Sequence, residues 1–293
     1  MISKYIRLVR PLIWLAFLPP FAVGFALGVN SNTYFLSAIY GFAAFAFGMS
    51  FSMAINVIYD KDTDRFQDKK LKDINLSKQP IVTGEITEKR ALFLSMIFLF
   101  LSLICSWLVN IQFFLISLLL FVVSITYSMP PMRFKTRPIG DILCNTLTGG
   151  LVFVAGLSIG GDNMIPLLIL VGFFTPPIYY IPTLIWDYKY DTKAGLKTSA
   201  IYFDHKKLMN ARYPFIIMTL LIYSFIVLNY DFELQIISLS VIVSVSLATV
   251  VQNMQMKNRD MLNNLNPIFN LMTLKSAVFI LYGFLKIFGI FTL

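Results

Sequence analysis

The sequence predicts an all-α, polytopic integral membrane protein, and three observations predict it. Hydrophobic residues make up 57% of the 293 and charged residues only 13%, a balance that excludes an ordinary soluble chain. The apolar residues form uninterrupted runs near the roughly 20 residues a helix needs to cross a bilayer, whereas barrel strands alternate apolar and polar over about ten. The Lys and Arg cluster in alternate connections between those runs. With 28 Phe and a 15% aromatic share, the same composition excludes disorder, a coiled coil and a collagen-like fibre.

Nine runs read as transmembrane helices, near residues 11–29, 35–58, 91–109, 111–128, 143–160, 165–186, 212–228, 234–252 and 270–292. The first follows a basic segment as a signal peptide would. Its length of about 19 residues, the lack of a small-x-small cleavage site and the spans that follow make it a retained helix. All but two of the 24 Lys and Arg fall before the first run or in the connections after the second, fourth, sixth and eighth. The remaining two, Lys275 and Lys286, read as lying near the ends of the last span, with side chains that snorkel to the interface. The opposite connections hold only Asp162, Asp231 and Glu233, so the positive-inside rule places the amino terminus in the cytoplasm and the carboxyl terminus outside. The formal charge of +9 is thereby explained by membrane topology, and no nucleic-acid partner is expected. Prolines at 19–20, 130–131, 176–177 and 182 predict kinks or breaks. No linker, low-complexity tract or repeat divides the chain, so residues 1–293 are expected to form a single domain. Cys105 and Cys144 lack a second thiol or a histidine at metal-ligand spacing and read as packing residues.

Two of the basic connections are long, and each opens with acidic residues at helical spacing directly after an apolar run. The first reads Asn56-Val-Ile-Tyr-Asp60-Lys-Asp-Thr-Asp64, with Asp68 beyond it. A continuing helix puts residues 56, 60 and 64 on one face at successive turns, one amide and two carboxylates pointing the same way. The second, Asp187-Tyr-Lys-Tyr-Asp191, sets two carboxylates one turn apart. Like charges at i and i+4 destabilise a helix and cost desolvation beside a membrane, so both pairs call for a compensating cation. Hard oxygen donors with open positions suit Mg²⁺, which keeps waters and is completed by substrate phosphates. Asp62, Asp68 and Asp73, interleaved with Lys61, Lys69, Lys70 and Lys72, read as solvated loop charges.

With these residues the chain resembles the UbiA superfamily of intramembrane prenyltransferases, nine-helix proteins with two Asp-rich motifs on cytoplasmic loops. The family's Asn-Asp-x-x-Asp-x-x-x-Asp is matched by Asn56, Asp60 and Asp64, with Val57 at the second position. Its Asp-x-x-x-Asp-x-x-x-Gly-x-Lys-Thr is matched by Asp187, Asp191, Gly195, Lys197 and Thr198 without a gap. Pro80-Ile-Val-Thr-Gly84 is similar to Arg-Pro-Ile-x-x-Gly, with Gln79 replacing Arg and Lys78 the nearest residue to supply the charge. Tyr127-Ser-Met-Pro-Pro-Met-Arg133-Phe-Lys135 is similar to Tyr-Ser-x-Pro-Pro-x-Arg-x-Lys.

The resemblance implies Mg²⁺-dependent transfer of a prenyl group from an allylic diphosphate to a lipophilic acceptor, lipid, isoprenoid or aromatic, inside the bilayer. It implies a central cavity open to the cytoplasmic side, with Asp60, Asp64, Asp187 and Asp191 as metal ligands. Asn56, Lys78, Arg133, Lys135, Lys197 and Tyr188 then bind the donor, Arg10 adds positive charge, and Tyr127, Arg133, Lys135 and Asp191 stand at the catalytic centre. The basic groups offset charge that develops as the C–O bond ionises, and a cavity walled by helices keeps water from the carbocation. The ring faces of Tyr127, Tyr179, Tyr180 and Tyr188 are candidates to stabilise that cation. The segment from Arg133 to Asp141 is most similar to branches with lipid or isoprenoid acceptors, lycopene elongases among them.

The single histidine, His205, reads as a solvated loop residue beside Lys206 and Lys207, and no nucleotide-binding or zinc motif is present. A cation-coupled secondary transporter is the competing reading, since it too uses Asp and Asn in membrane helices. Transporters hold such groups near the midplane in broken helices, whereas these carboxylates fall at the ends of spans on one face. A non-catalytic scaffold would have no need of the acidic set.

Overall fold

A computed structural model describes residues 3–64, 79–161, 165–257 and 266–290, and every regular element among them is helical. Two short helices, α1 (Ser3–Val9) and α2 (Pro11–Trp14), precede α3 (Leu18–Gly28). The first apolar run is therefore not one straight helix: it bends by 60° between Trp14 and Leu18. Proline stands in the first turn of α3, where the missing N–H groups suit a helix start and cannot carry a helix through from residues 15–17.

The chain continues through α4 (Phe35–Asp64), α5 (Glu88–Val109), α6 (Ile111–Ser128), α7 (Gly140–Leu157) and α8 (Pro166–Lys193). Short helices α9 (Ser199–Tyr202) and α10 (His205–Asn210) then lead into α11 (Tyr213–Asn229), α12 (Phe232–Lys257) and α13 (Asn266–Ile287). Seven helices among the described residues are long and apolar enough to cross a bilayer, or eight if the bent pair counts as one span. The last predicted run folds as α13, a single helix of 22 residues. Both helices that carry acidic motifs, α4 and α8, run past the predicted ends of their apolar segments at 58 and 186.

Close packing at the centre depends on glycine. Gly24 and Gly28 of α3 lie against the backbone of Phe153 and Leu157, and Gly156 of α7 lies against the Phe21 carbonyl, so any Cβ there meets backbone. Small residues let membrane helices approach this closely and gain dispersion contacts along both backbones. Pro176, Pro177 and Pro182 sit inside α8 without ending it, and the Pro176 ring fills the space above Gly149 of α7. Asn110 separates α5 from α6: its side chain accepts from the Phe113 N–H at 2.8 Å and donates to the Ser158 carbonyl at 2.7 Å. Cys105 and Cys144 are free thiols, Cys144 buried.

Three basic residues differ from their expected places. Lys286 is only 8% exposed and does not snorkel, because Glu233 Oε1 at 2.5 Å and the Ala26 carbonyl at 3.1 Å supply its partners within the protein. Lys275 lies in the middle of α13 and donates to Ser244 Oγ of α12 at 2.7 Å. Arg212 is fully buried at the head of α11, where it donates to the Met209 carbonyl at 3.0 Å, to Asn253 Oδ1 at 2.7 Å and to the Gln252 side-chain oxygen. A guanidinium is tolerated there because its fork of donors meets oxygens instead of hydrocarbon.

Candidate functional site

The last turns of α4 present Asn56 and Asp60 four residues apart on one face, as the spacing requires. Val57 turns the other way and is fully buried in a cluster with Leu8, Ile86 and Ala91. A carboxylate at that position would be driven into apolar packing, which accounts for valine there. Residues 129–139 fold back over the end of α4. Arg133 Nη2 donates to the Tyr59 carbonyl at 3.1 Å and approaches Asp60 Oδ1 at 3.4 Å, and the Lys135 ammonium binds the same Asp60 oxygen. Asn56 Oδ1 is 3.5 Å from that ammonium. Arg133 adopts φ +38 and its Nε is buried without a hydrogen-bond partner, an orphaned donor beside a carboxylate. Arg10 also has a positive φ, of +48, and a buried, unpartnered Nε. Lys61 points elsewhere, to Glu88 Oε1 at 2.6 Å.

Gln79, where the family segment has Arg, is buried with its side-chain oxygen unpartnered. The turn that follows it is tied to α1 by Arg7, whose guanidinium lies 2.5 Å from the Glu85 carboxylate and holds that group below its ordinary range. The Asp64 side chain and Lys78 lie outside the described residues.

On α8, Asp187 is half-buried and Asp191 is buried. Asp191 Oδ2 accepts from Thr198 Oγ1 at 3.1 Å, across a turn in which Gly195 takes φ +67, a conformation that favours glycine. Lys197 is exposed. The Tyr188 ring packs edge-on against His205, centroids 4.5 Å apart, on the side of α8 that faces Leu208 and Met209. His205 is thus not a solvated loop residue. It opens α10, and its Nε2 lies 3.1 Å from the Ala200 carbonyl, because Asp204 caps the helix and turns the ring inward.

Two tyrosines stand between the acidic motifs. Tyr127, which lines one cavity with Asn56 and Asn145, lies near Tyr180, Asp60 and Asp141, while Tyr180 lies near Asp141 and Asp191. Tyr179, one residue before Tyr180 and so about 100° round the helix, lies near Ser244 of α12. A cavity of about 60 Å³ begins at Asn56, Tyr127 and Asn145. A second, of about 50 Å³, shares Met49, Ser52, Ser124 and Thr148 with it and continues between Phe45, Gly48, Phe113, Phe121 and Val152. The polar end thus opens onto an apolar channel lying along α4, α6 and α7.

The residue pair missed by sequence reasoning is Asp141 and Ser199, both fully buried and joined by short hydrogen bonds. The available signal was a carboxylate in the first turn of a membrane helix directly after a basic run. Among the described residues no three His, Cys, Asp or Glu side chains gather as a metal site. The Asn56 and Asp60 oxygens nevertheless already flank one cation, the Lys135 ammonium, so the donor set fits hard-cation binding.

Fold and site together define a helical integral membrane protein with acids and bases gathered at one end of an apolar channel. The sequence matches the UbiA prenyltransferase family over residues 17–274, and the chain belongs to that family. A UbiA homolog from Archaeoglobus fulgidus bound to GPP and Mg²⁺ is 38% identical, with a TM-score of 0.90 over 97% of this chain and 99% of that one. The same homolog bound to DMAPP and Mg²⁺ aligns at 39% identity, with the same coverage and TM-score. An apo UbiA homolog from Aeropyrum pernix K1, at 20% identity and TM-score 0.68 over 94% of this chain and 98% of that one, shares the fold. No curated protein matches the chain.

Proposed function

We propose that this prenyltransferase moves a prenyl group from an allylic isoprenyl diphosphate to a lipophilic acceptor within the membrane and releases diphosphate. The observation that carries the reading is the group of Asn56, Asp60, Arg133 and Lys135, whose Asn56 lines the near end of the apolar channel, charge on one side and hydrocarbon beyond it. A prenyl diphosphate has the same polarity along its length. The A. fulgidus homolog, nearly two-fifths identical along almost the whole chain, binds GPP and DMAPP with Mg²⁺. That likeness supports the same donor class and metal here.

In this reading Asp60, Asp64, Asp187 and Asp191 hold Mg²⁺, with Asn56 as a neutral ligand. Bound Mg²⁺ would neutralise the diphosphate oxygens and make diphosphate a better leaving group. Lys135 and Arg133 turn from Asp60 to the diphosphate when the donor enters, and stabilise the charge that grows on the leaving oxygen. Lys197, Lys78 and Arg10 add positive potential around it. Tyr127 and Tyr180 border the point where the allylic carbon emerges, and their rings stabilise its positive charge while the channel excludes water. Tyr188, packed on His205, serves by orienting Asp187 and Asp191 on α8. The unit extends over residues 1–293 with nine spans, α13 among them, the cavity open to the cytoplasm, the amino terminus cytoplasmic and the carboxyl terminus outside. Labelling of cysteines placed at Lys70 and Lys193 from one side, and at Asn32 and Asp231 from the other, tests the orientation.

The activity test is turnover of radiolabelled dimethylallyl and geranylgeranyl diphosphate by purified protein against lipid, isoprenoid and aromatic acceptors, with and without a chelator. Product that disappears with the chelator is expected. Absence of prenyl transfer with every acceptor and added Mg²⁺ would overturn the proposal.

A further inference from the structure

We infer that Asp141 and Ser199 are a positioning pair that locks the basic turn 133–139 against the segment closing the second acidic motif. The inference rests on the prenyl-transfer reading and adds to it a device for holding the two halves of the donor site in register.

Asp141 Oδ2 accepts from the Ser199 N–H at 2.7 Å, and Oδ1 accepts from Ser199 Oγ at 2.5 Å and from the Ile142 N–H at 2.8 Å. Ser199 Oγ in turn accepts from the Ile139 N–H at 2.8 Å. Both side chains are fully buried. Three hydrogens, from the Ser199 N–H, the Ser199 hydroxyl and the Ile142 N–H, point at the Asp141 carboxylate, so the position requires an acceptor with no hydrogen of its own, which a carboxylate is and an amide is not. A hydroxyl is required at 199 as well, because it donates to Asp141 and accepts from the Ile139 N–H at once. Ile139 has φ +68, a conformation a β-branched residue holds only when its surroundings impose it.

The connections run outward from this pair in both directions. Four and six residues before Ile139 stand Lys135 and Arg133, which hold Asp60. One residue before Ser199 stands Thr198, which holds Asp191. One hydrogen-bonded frame therefore joins acids borne on two helices far apart in sequence.

The experiment compares Asp141→Asn, Ser199→Ala and Ser199→Thr with wild type in the purified full chain. Mn²⁺ alone is titrated and followed by electron paramagnetic resonance, then KM and kcat are measured with geranyl diphosphate, and melting temperature is recorded for each variant. Groups that orient metal ligands typically change affinity by about 10- to 100-fold when removed. Losses of that size in Mn²⁺ affinity, with KM rising more than kcat falls, are expected for Asp141→Asn and Ser199→Ala, and Ser199→Thr, which keeps the hydroxyl, should stay close to wild type. A pair that is only structural lowers the melting temperature without moving the Mn²⁺ affinity of the folded protein, and that outcome overturns the inference. Ser199→Ala keeps the backbone bond to Asp141 and decides the matter if Asp141→Asn does not fold. Wild-type protein that binds Mn²⁺ but transfers no prenyl group refutes the functional reading, while the Mn²⁺ comparison still decides the role of the pair.

Discussion

The Lys135 ammonium rests on the carboxylate of Asp60, 75 residues away in the chain, with the Asn56 carboxamide oxygen 3.5 Å from the same nitrogen. A cation thus lies between the Asp60 oxygen that the resemblance assigns to metal and the Asn56 oxygen beside it. The arrangement predicts opposite responses to its removal. In Lys135→Met the competing cation is gone, so Mn²⁺ affinity should hold or rise. The donor loses a charged hydrogen bond, for which about 1.5–3 kcal/mol is typical, so kcat/KM for the prenyl diphosphate should fall about 10- to 100-fold. Mn²⁺ titration and donor kinetics on one preparation separate the two effects. A drop in Mn²⁺ affinity with unchanged donor kinetics would reverse the assignment.

Asp60→Ala, Asp187→Ala and Asp191→Ala should each cut turnover at least about 100-fold, the scale on which a lost electrostatic contact to developing charge is felt. Asp64→Ala is expected to behave alike. Asp62→Ala is the matched control: it is exposed on the same turn of α4 but off the face shared by Asn56 and Asp60. Turnover and melting temperature in detergent are the measurements. If the control fails as badly as the others, bulk negative charge is what matters and the ligand assignment is wrong.

What the sequence revealed was local. Apolar runs and four-residue acid spacing are properties of single helices, so the spans near 91–109 and 111–128 and the shared face of Asn56 and Asp60 could be read directly. Partnerships between helices could not. Lys286 looked like an interface residue because nothing in its own helix shows that Glu233, 53 residues earlier, lies beside it. Arg212, counted among the basic residues of the connection before the seventh run, is held by Gln252 and Asn253, 40 and 41 residues further on. Tyr179 and Tyr180 are neighbours with identical side chains, yet helical geometry sends one toward α12 and the other toward Tyr127. The frame around Asp141 joins segments 58 residues apart and leaves no periodic trace.

The Lys286–Glu233 pair yields a prediction about stability. Lys286 is 9% and Glu233 22% exposed at the side chain, and the ammonium also holds the Ala26 carbonyl at the end of α3. Removing one charge of a buried pair strands the other in a low-dielectric setting at a cost of about 3–5 kcal/mol, whereas replacing both with apolar groups is often close to neutral. Glu233→Gln should lower the detergent melting temperature well below that of wild type, and Glu233→Leu with Lys286→Met should restore most of the loss. A double variant no better than the single one would mean that the pair acts through something other than mutual neutralisation.

The apolar channel predicts how donor length is read. Gly48 lies eight residues, or about 12 Å of helix, from Asn56. A Cβ built there sits 3.3 Å from Ser102 Oγ and 3.7 Å from the Phe121 ring, both of which line the deeper cavity with it. In Gly48→Leu the side chain takes the space a long prenyl tail would occupy. Each chain carbon denied burial costs about 0.8 kcal/mol, so excluding only two costs about 1.6 kcal/mol, roughly tenfold in donor affinity. Dimethylallyl transfer should stay near wild type, because the five-carbon group ends close to Tyr127, while the loss should grow along the series from geranyl through farnesyl to geranylgeranyl diphosphate. KM and kcat for the four donors provide the measurement. A uniform loss across the series would indicate damage to the packing of α4 on α5 and α6, and no loss with geranylgeranyl diphosphate would show that the tail takes another path.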